Sequence, residues 1–237
     1  MNSQWQVDLY NGLNNAVDMQ DVLDVTLKTV KPLGFDFCGW RSKTLLPLSR
    51  KTNFTLHNTE DEVYRKEKEG GYDEENAPIL KHCSTTMTPL LWRGTTDESL
   101  FLQAPELFEE FYGFGHRAGY AQSIIESKKI YSVFWANSSN VFKHQELLAI
   151  DFKMQWIAMS VLAKMNKMGL VSNIALSKRE KEILKWFGDG KTSDQIGMIL
   201  NLSHSTINFH FRNAMKKLGT HNKTSTIVKA IYLHLLH

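Results

Sequence analysis

The chain lacks most of what would announce an enzyme or a membrane protein. It contains no G-x-S-x-G and no H-E-x-x-H, so neither a nucleophile elbow nor a zinc-binding helix is present. Its nine histidines are scattered, with no pair at ligand spacing joined by a third partner. Two glycine clusters approach nucleotide motifs and fail on context. Gly113-Phe-Gly115-His-Arg-Ala118 follows a helical pattern rather than a strand, and Gly188-Asp-Gly190-Lys191-Thr192 has Lys185 where a phosphate loop needs its first glycine. Asp73, Glu74 and Glu75 sit in a charged run with no apolar walls to shift a pKa. Cysteine is scarce. Cys38 and Cys83 are too few for a disulfide framework or a metal site, and they read as buried or partly buried free thiols in a reducing compartment. No apolar run reaches the roughly 18 residues that a membrane span requires. The longest, 156–163, is interrupted by Ser160, and the N-terminal MNSQWQVDLYNG has no signal core. These absences predict a cytoplasmic protein with no membrane partner, no metal, no resident cofactor and no enzymatic activity.

What is present is an ordinary globular composition, 42% hydrophobic and 22% charged over 237 residues, enough for one or two domains. The charge is unevenly placed. Residues 173–237 hold 10 Lys/Arg against 4 Asp/Glu, whereas 1–172 hold 18 against 21. A slightly acidic front is therefore joined to a basic end, the footprint of a phosphate-backbone binder.

That basic end carries the clearest local signals. Ser177 with Glu180, and Thr192 with Gln195, have capping-box spacing. Gly188 and Gly190 can stop the first helix. Ser203 can cap a third helix and Asn222 a fourth. Ile183, Leu184 and Phe187, then Ile196, Ile199 and Leu200, then Ile207, Phe211, Met215 and Leu218, then Ile227, Val228 and Ile231 recur at helical spacing. The third helix presents Ser205, Thr206, Asn208, Arg212, Asn213, Lys216 and Lys217 on its other face. Asn and Arg can bond base edges bidentately, while Lys, Ser and Thr reach phosphates. Lys191, Thr192 and Ser193 open the preceding helix, whose N-terminus can hold a phosphate. The other meaning of this face is a protein-interaction surface on a small-molecule-binding co-regulator.

Residues 176–222 resemble the LuxR-type helix-turn-helix of bacterial transcription regulators. The resemblance rests on Glu180, Leu184, Trp186, Gly190, Lys191, Thr192, Ile196, Leu200, Ser205, Thr206, Ile207, Asn208, His210, Asn213, Lys217 and Leu218, with Asn222-Lys223-Thr224 following. It implies a four-helix domain over 174–237 that binds double-stranded DNA as a homodimer. The third helix would read the major groove, and RNA polymerase is a further candidate partner.

The front two-thirds reads as a mixed α/β domain. An amphipathic helical pattern covers 5–32, and strands are expected at 35–41 and 53–57. The charged run 60–75 holds eight acids and three bases, and suggests an exposed helix or loop. Helices follow at 78–81 and 105–113, with an extended segment at 89–92. A hairpin is expected from 120–126 and 130–136, then a long helix over 143–167 and a linker at 169–173. This order is similar to the family's autoinducer-binding domain. The fold class that follows is α+β: an α/β/α sandwich sensor and dimerisation domain with an antiparallel sheet over 1–168, plus the four-helix domain.

The resemblance also implies a small-molecule pocket, with Phe37, Val63, Glu67, Ala77, Trp92, Gly119 and Phe134 as its candidate residues. Here the chain departs from the family. Counted from Pro78 and Trp92, the family's lactone-binding Trp falls on Val63, its Tyr on Glu67 and its Asp on Ala77, and a Ser/Thr position falls near Phe134. A valine cannot donate a hydrogen bond and an alanine cannot accept one. Each lost contact in a buried site weakens a complex by about 1–3 kcal/mol, which argues against an ordinary acyl-homoserine lactone. Either the pocket is retuned to another small molecule, with Glu67 or Trp92 as a polar anchor, or Phe134, Tyr131 and Phe37 fill it and no ligand is needed.

Overall fold

Two helices occupy the segment where the apolar pattern suggested one. The computed structural model describes residues 4–44, 52–59, 77–127, 130–170, 175–233 and 235–236. Helices α1 (Gln4–Asn15) and α2 (Met19–Val30) are separated by a break at Asp18. Asp18 is extended, and its carboxylate accepts from the Asp21 N–H at 2.9 Å. The Asp21 carboxylate in turn accepts from the Asp18 N–H. This capping box starts a new helix inside a continuous apolar stripe.

A five-stranded antiparallel sheet follows, built from β1 (Phe37–Thr44), β2 (Thr52–His57), β3 (Leu90–Trp92), β4 (Ala118–Ser127) and β5 (Ile130–Ser138) in the order β2-β1-β5-β4-β3. Strands β4 and β5 form the expected hairpin. Between β2 and β4 come α3 (Pro78–Thr85), α4 (Ser99–Gln103) and α5 (Pro105–Gly113), of which α4 had no clear sequence signal. The highly charged 60–75 run, with Val63 and Glu67, lies outside the described residues.

The pleat of the sheet sorts its side chains into two cores. One face carries Trp92, Ala121, Tyr131 and Val133 against Leu80, Cys83, Phe101, Leu107 and Phe108 of α3–α5. The other face buries Cys38, Trp40, Tyr120, Phe134 and Ala136 on the side of α2. There α1 meets the long helix α6 (His144–Leu170) through a Trp5–Trp156 edge contact at 5.6 Å. Lys164 Nζ of α6 also donates to the Ala16 carbonyl at 3.1 Å. Phe134, expected at the pocket, thus belongs to the opposite core, with its ring 6.4 Å from that of Tyr120. One position along a strand reverses the face. Both cysteines are free and buried, and burial pushes each thiol up to about 12.

On the first face, two indoles lie over glycines of neighbouring strands. Trp92 is paired in register with Gly119, and Trp135 with Gly39. A Cβ at either glycine would run into the six-membered ring of the indole.

The chain divides into two compact units, Met1–Asn166 and Lys167–His237. Helix α6 continues to Leu170, beyond the expected start of the linker at 169. The second unit holds α7 (Lys178–Gly188), α8 (Ser193–Leu200), α9 (His204–Leu218) and α10 (Lys223–Tyr232). They pack around Ile183, Leu184, Phe187, Ile196, Ile207, Phe211, Ala214, Leu218 and Ala230. Ser177, Thr192, Ser203 and Asn222 cap the four helices in turn. Of the two glycines expected to stop α7, Gly190 takes the left-handed conformation, whereas Gly188 is the last helical residue.

Gly119→Ala is expected to destabilise the first unit by about 1–3 kcal/mol, because overpacking must move the buried Trp92 ring. Urea unfolding followed by tryptophan fluorescence measures it. An unchanged midpoint would mean that the indole can move aside at no cost.

Candidate ligand cavity and nucleic-acid interface

The face of the sheet turned toward α3–α5 is not completely filled. A cavity of about 680 Å³, its mouth included, is lined by Arg41, Ala77, Ile79, Leu80, Trp92, Leu107, Phe111, His116, Val133, Trp135 and Asn137. The walls are mostly apolar and aromatic, as in small-molecule sites. Of the residues expected at a pocket, Ala77 and Trp92 line it. Phe37 borders it by stacking on His116 at 4.2 Å between ring centroids. Gly119 lies beneath Trp92.

The expected polar anchors change identity. Trp92 Nε1–H is committed to the Arg117 carbonyl at 3.0 Å, so it is not offered to the cavity. Three other groups are. Arg41 Nε, His116 Nε2 and Asn137 Oδ1 are each buried without a hydrogen-bond partner among the described residues. His116 and Asn137 are 4% and 7% exposed, so water does not satisfy them. Burial, aided by the neighbouring His57, lowers the His116 pKa to about 4, while Asp36 opposes the shift. The ring is therefore neutral near pH 7. Sequence reasoning missed all three residues. The available signal was strand alternation, since Asn137 lies two residues beyond Trp135, and Arg41 two beyond Gly39, on one face of the sheet.

The second site is assembled by the four short helices. Leu202 N–H donates to the Gly197 carbonyl at 2.9 Å, and Asn201 is left-handed with φ of 52°, so α8 turns sharply into α9. Helix α9 buries Ile207, Phe211, Ala214 and Leu218. Its outer surface leaves Ser205, Arg212 and Lys216 exposed, with Thr206 and Asn213 half-buried. Lys191 and Thr192 are exposed beside the N-terminus of α8, and Ser193 is half-buried there.

Two residues of the predicted reading face have side-chain partners on other helices. Asn208 accepts from Ser193 Oγ at 3.0 Å, and its amide lies 3.1 Å from a His204 ring nitrogen. It thereby ties the starts of α8 and α9 together. Lys217 does not serve the outer face. Its ammonium lies 2.8 Å from the Glu180 carboxylate, whose side chain is 5% exposed, and it also donates to the Ala175 carbonyl. Burial raises the Glu180 pKa, but the hydrogen bonds from Lys217 and from the Ser177 N–H outweigh it and hold the carboxyl below its ordinary 4.5. Lys217 thus anchors α9 to the start of α7, and Arg212, whose Nε donates to the Asn208 carbonyl at 3.3 Å, and Lys216 remain as exposed cations of the outer face with no acidic partner among the described residues.

Comparison with known proteins agrees with both geometries. Residues 18–165 match the autoinducer binding domain family, and 174–230 match the bacterial regulatory proteins of the luxR family. The chain is 28% identical to the transcriptional activator protein AnoR of Acinetobacter nosocomialis over 242 residues, covering 98% of this chain and 99% of the relative. It is 29% identical to the quorum-sensing regulator RhlR of Pseudomonas aeruginosa, covering 98% and 96%. In fold it is similar to Escherichia coli SdiA in complex with octanoyl-rac-glycerol, with a TM-score of 0.76 and 24% identity over 99% of this chain and 96% of that one. The chain belongs to the LuxR-type family of transcriptional regulators, with an autoinducer-binding domain followed by a helix-turn-helix, and is a regulator rather than an enzyme.

The depressed Glu180 carboxyl makes a pH prediction. Its contribution to stability is present above about pH 4.5, the unfolded value, and is lost as pH falls through the lower folded value. Acid unfolding of the helix-turn-helix, followed by hydrogen exchange of α7 amides, should be shallower between pH 5 and 3 in Glu180→Gln than in the native chain. Equal slopes would remove Glu180 from the acid response.

Proposed function

We propose that the protein acts in the cytoplasm as a homodimer that reads an inverted-repeat DNA site through α9. Its cavity receives a small-molecule signal other than a typical acyl-homoserine lactone. The observation that carries the DNA half is the outer face of α9, where Ser205, Arg212 and Lys216 stand exposed and the Ser193–Asn208 bond brings the α8 N-terminus against the same helix. Exposed cations on one helix face, with a neighbouring helix N-terminus, suit phosphates and base edges better than a protein surface, which favours DNA over the co-regulator reading. Dimerisation is supported by α6, on which Leu148, Phe152 and Met159 are 61%, 73% and 44% exposed at helical spacing. An apolar stripe of that kind suits a second copy of the same helix. RNA polymerase would then be contacted by the DNA-bound dimer.

The ligand half rests on the cavity. Ala77 replaces the family's acceptor, while Arg41, His116 and Asn137 present polar atoms that the family resemblance did not anticipate. These atoms support a retuned pocket over one filled by its own side chains. E. coli SdiA is a relative in fold whose complex holds octanoyl-rac-glycerol, which is an acyl compound but not a lactone.

Selection of bound fragments from random-sequence DNA by the full chain should yield an inverted repeat. Arg212→Ala should lose about 1–3 kcal/mol on that site and relax its preference at one position in each half. Lys216→Ala should weaken all sequences evenly and lower the slope of log K against log salt by about one. Recovery of no preferred sequence would overturn the DNA reading. Unchanged specificity in Arg212→Ala would displace α9 as the reading element.

Phe152→Glu should convert a dimer into a monomer in sedimentation velocity while the melting temperature of the monomer stays near that of the native chain. A dimer of undiminished affinity would place the interface elsewhere.

A further inference from the structure

Six buried side-chain polar atoms lack a hydrogen-bond partner among the described residues, and three of the six line this one cavity. Buried polar groups are nearly always paired in folded proteins, and each orphan is costly. Three orphans on one apolar cavity therefore mark groups that a ligand completes. Their placement gives that ligand a shape. Arg41 is opposite Val133 across the β1–β5 ladder, and Asn137 is opposite Phe37, four residues further along each strand. His116 stacks on Phe37 and so belongs to the Asn137 end. Four residues of strand separate the two ends by roughly 13 Å. Between them the sheet offers Gly39 and Trp135, with no second charged side chain among the cavity's described lining residues.

The two poles differ chemically. Arg41 is a permanent cation with planar donors, which match a carboxylate. No acidic side chain among the described residues pairs with it. At the other pole Asn137 Oδ1 only accepts, and the neutral His116 ring nitrogen donates or accepts according to tautomer. A group that both donates and accepts, such as a hydroxyl, satisfies the pair. A lactone ring carbonyl only accepts and cannot satisfy Asn137 Oδ1.

We propose that the cavity recognises a two-headed amphiphile: a carboxylate held by Arg41, an apolar body across Trp135, and a hydroxyl-type group held by His116 and Asn137. This rests on the reading of the cavity as the ligand site and names the class of ligand it selects.

The test compares four probes on the full chain by thermal shift and calorimetry. They are 10-hydroxydecanoate, which has about the required extended length, decanoate, decane-1,10-diol and N-decanoyl-homoserine lactone. The hydroxy acid should bind tightest, by roughly tenfold over both decanoate and the diol, since each lacks one head. Arg41→Met should erase the preference for the hydroxy acid over the diol without weakening the diol, and Arg41→Lys should restore part of it. Asn137→Leu should erase the preference for the hydroxy acid over decanoate. If the lactone or the diol binds as tightly as the hydroxy acid, or if Arg41→Met keeps the acid preference, the two-headed class is overturned while the cavity remains a ligand site. If none of the four shifts the melting temperature, the reading of the cavity as a ligand site falls with it.

Discussion

The sensor domain depends on the close approach of two tryptophans to two glycines. Trp92 over Gly119 and Trp135 over Gly39 are cross-strand partners, so the same pairs that set the ladder register also set the height of the cavity floor. An indole laid flat on a neighbouring strand needs a residue without a Cβ beneath it. That requirement pins each strand against a two-residue slip, which alternation alone would allow. It also decides the chemistry. With its N–H turned to the Arg117 carbonyl, Trp92 is a wall and not a donor, and polar recognition passes to residues further along the same face.

The helix-turn-helix solves a different problem, that of holding four short helices together around a core of few residues. Helices of this length gain little from propensity alone, so packing and caps must hold them. Each is capped by its own Ser, Thr or Asn side chain, and two of the caps are reciprocal boxes. The Glu180 carboxylate does double work, closing the Ser177 box and receiving the Lys217 ammonium. Two adjacent lysines on α9 consequently have opposite tasks. Lys217 turns toward α7 and neutralises a buried acid, whereas Lys216 stays in water. Net charge counted from sequence credits both to DNA, although only one is free to reach a phosphate.

Much of this was legible because it is written in local chemistry. The caps at Ser177, Thr192, Ser203 and Asn222 announce their helices within four residues, and the alternation of β4 and β5 announces a hairpin. The resemblance to a known family supplied the domain order. What sequence did not show is what depends on several elements meeting. The apolar stripe of 5–32 is continuous, and only the Asp18–Asp21 exchange reveals that it is two helices. Phe134 was assigned to the wrong side by a single position, since a strand reverses its face at every residue. Arg41, His116 and Asn137 are unremarkable in sequence because an arginine, a histidine and an asparagine are ordinarily solvated. Their significance arises only when a sheet and two helices enclose them around one space without partners among the described residues.

Those orphan groups also bear on how such a domain could report a signal. An unpartnered buried polar atom costs about 1–3 kcal/mol, so a ligand that pairs with these groups would add stability to the domain. A ligand that completes these bonds binds the folded state and not the unfolded one, and stabilises it by mass action. Stabilisation alone does not amount to regulation. A ligand shifts DNA affinity only to the extent that it binds the DNA-competent state more tightly than the other. The polar groups of the cavity sit on β1, β5 and the segment entering β4, in the middle of the sheet whose opposite face packs with α2. A ligand that pairs with them would therefore tie β1, β5 and the start of β4 together within that sheet. Under the proposed dimeric reading, a ligand that stiffens this sheet would act on DNA binding only through a difference in its affinity for the dimer, because an inverted repeat would require two copies at fixed spacing.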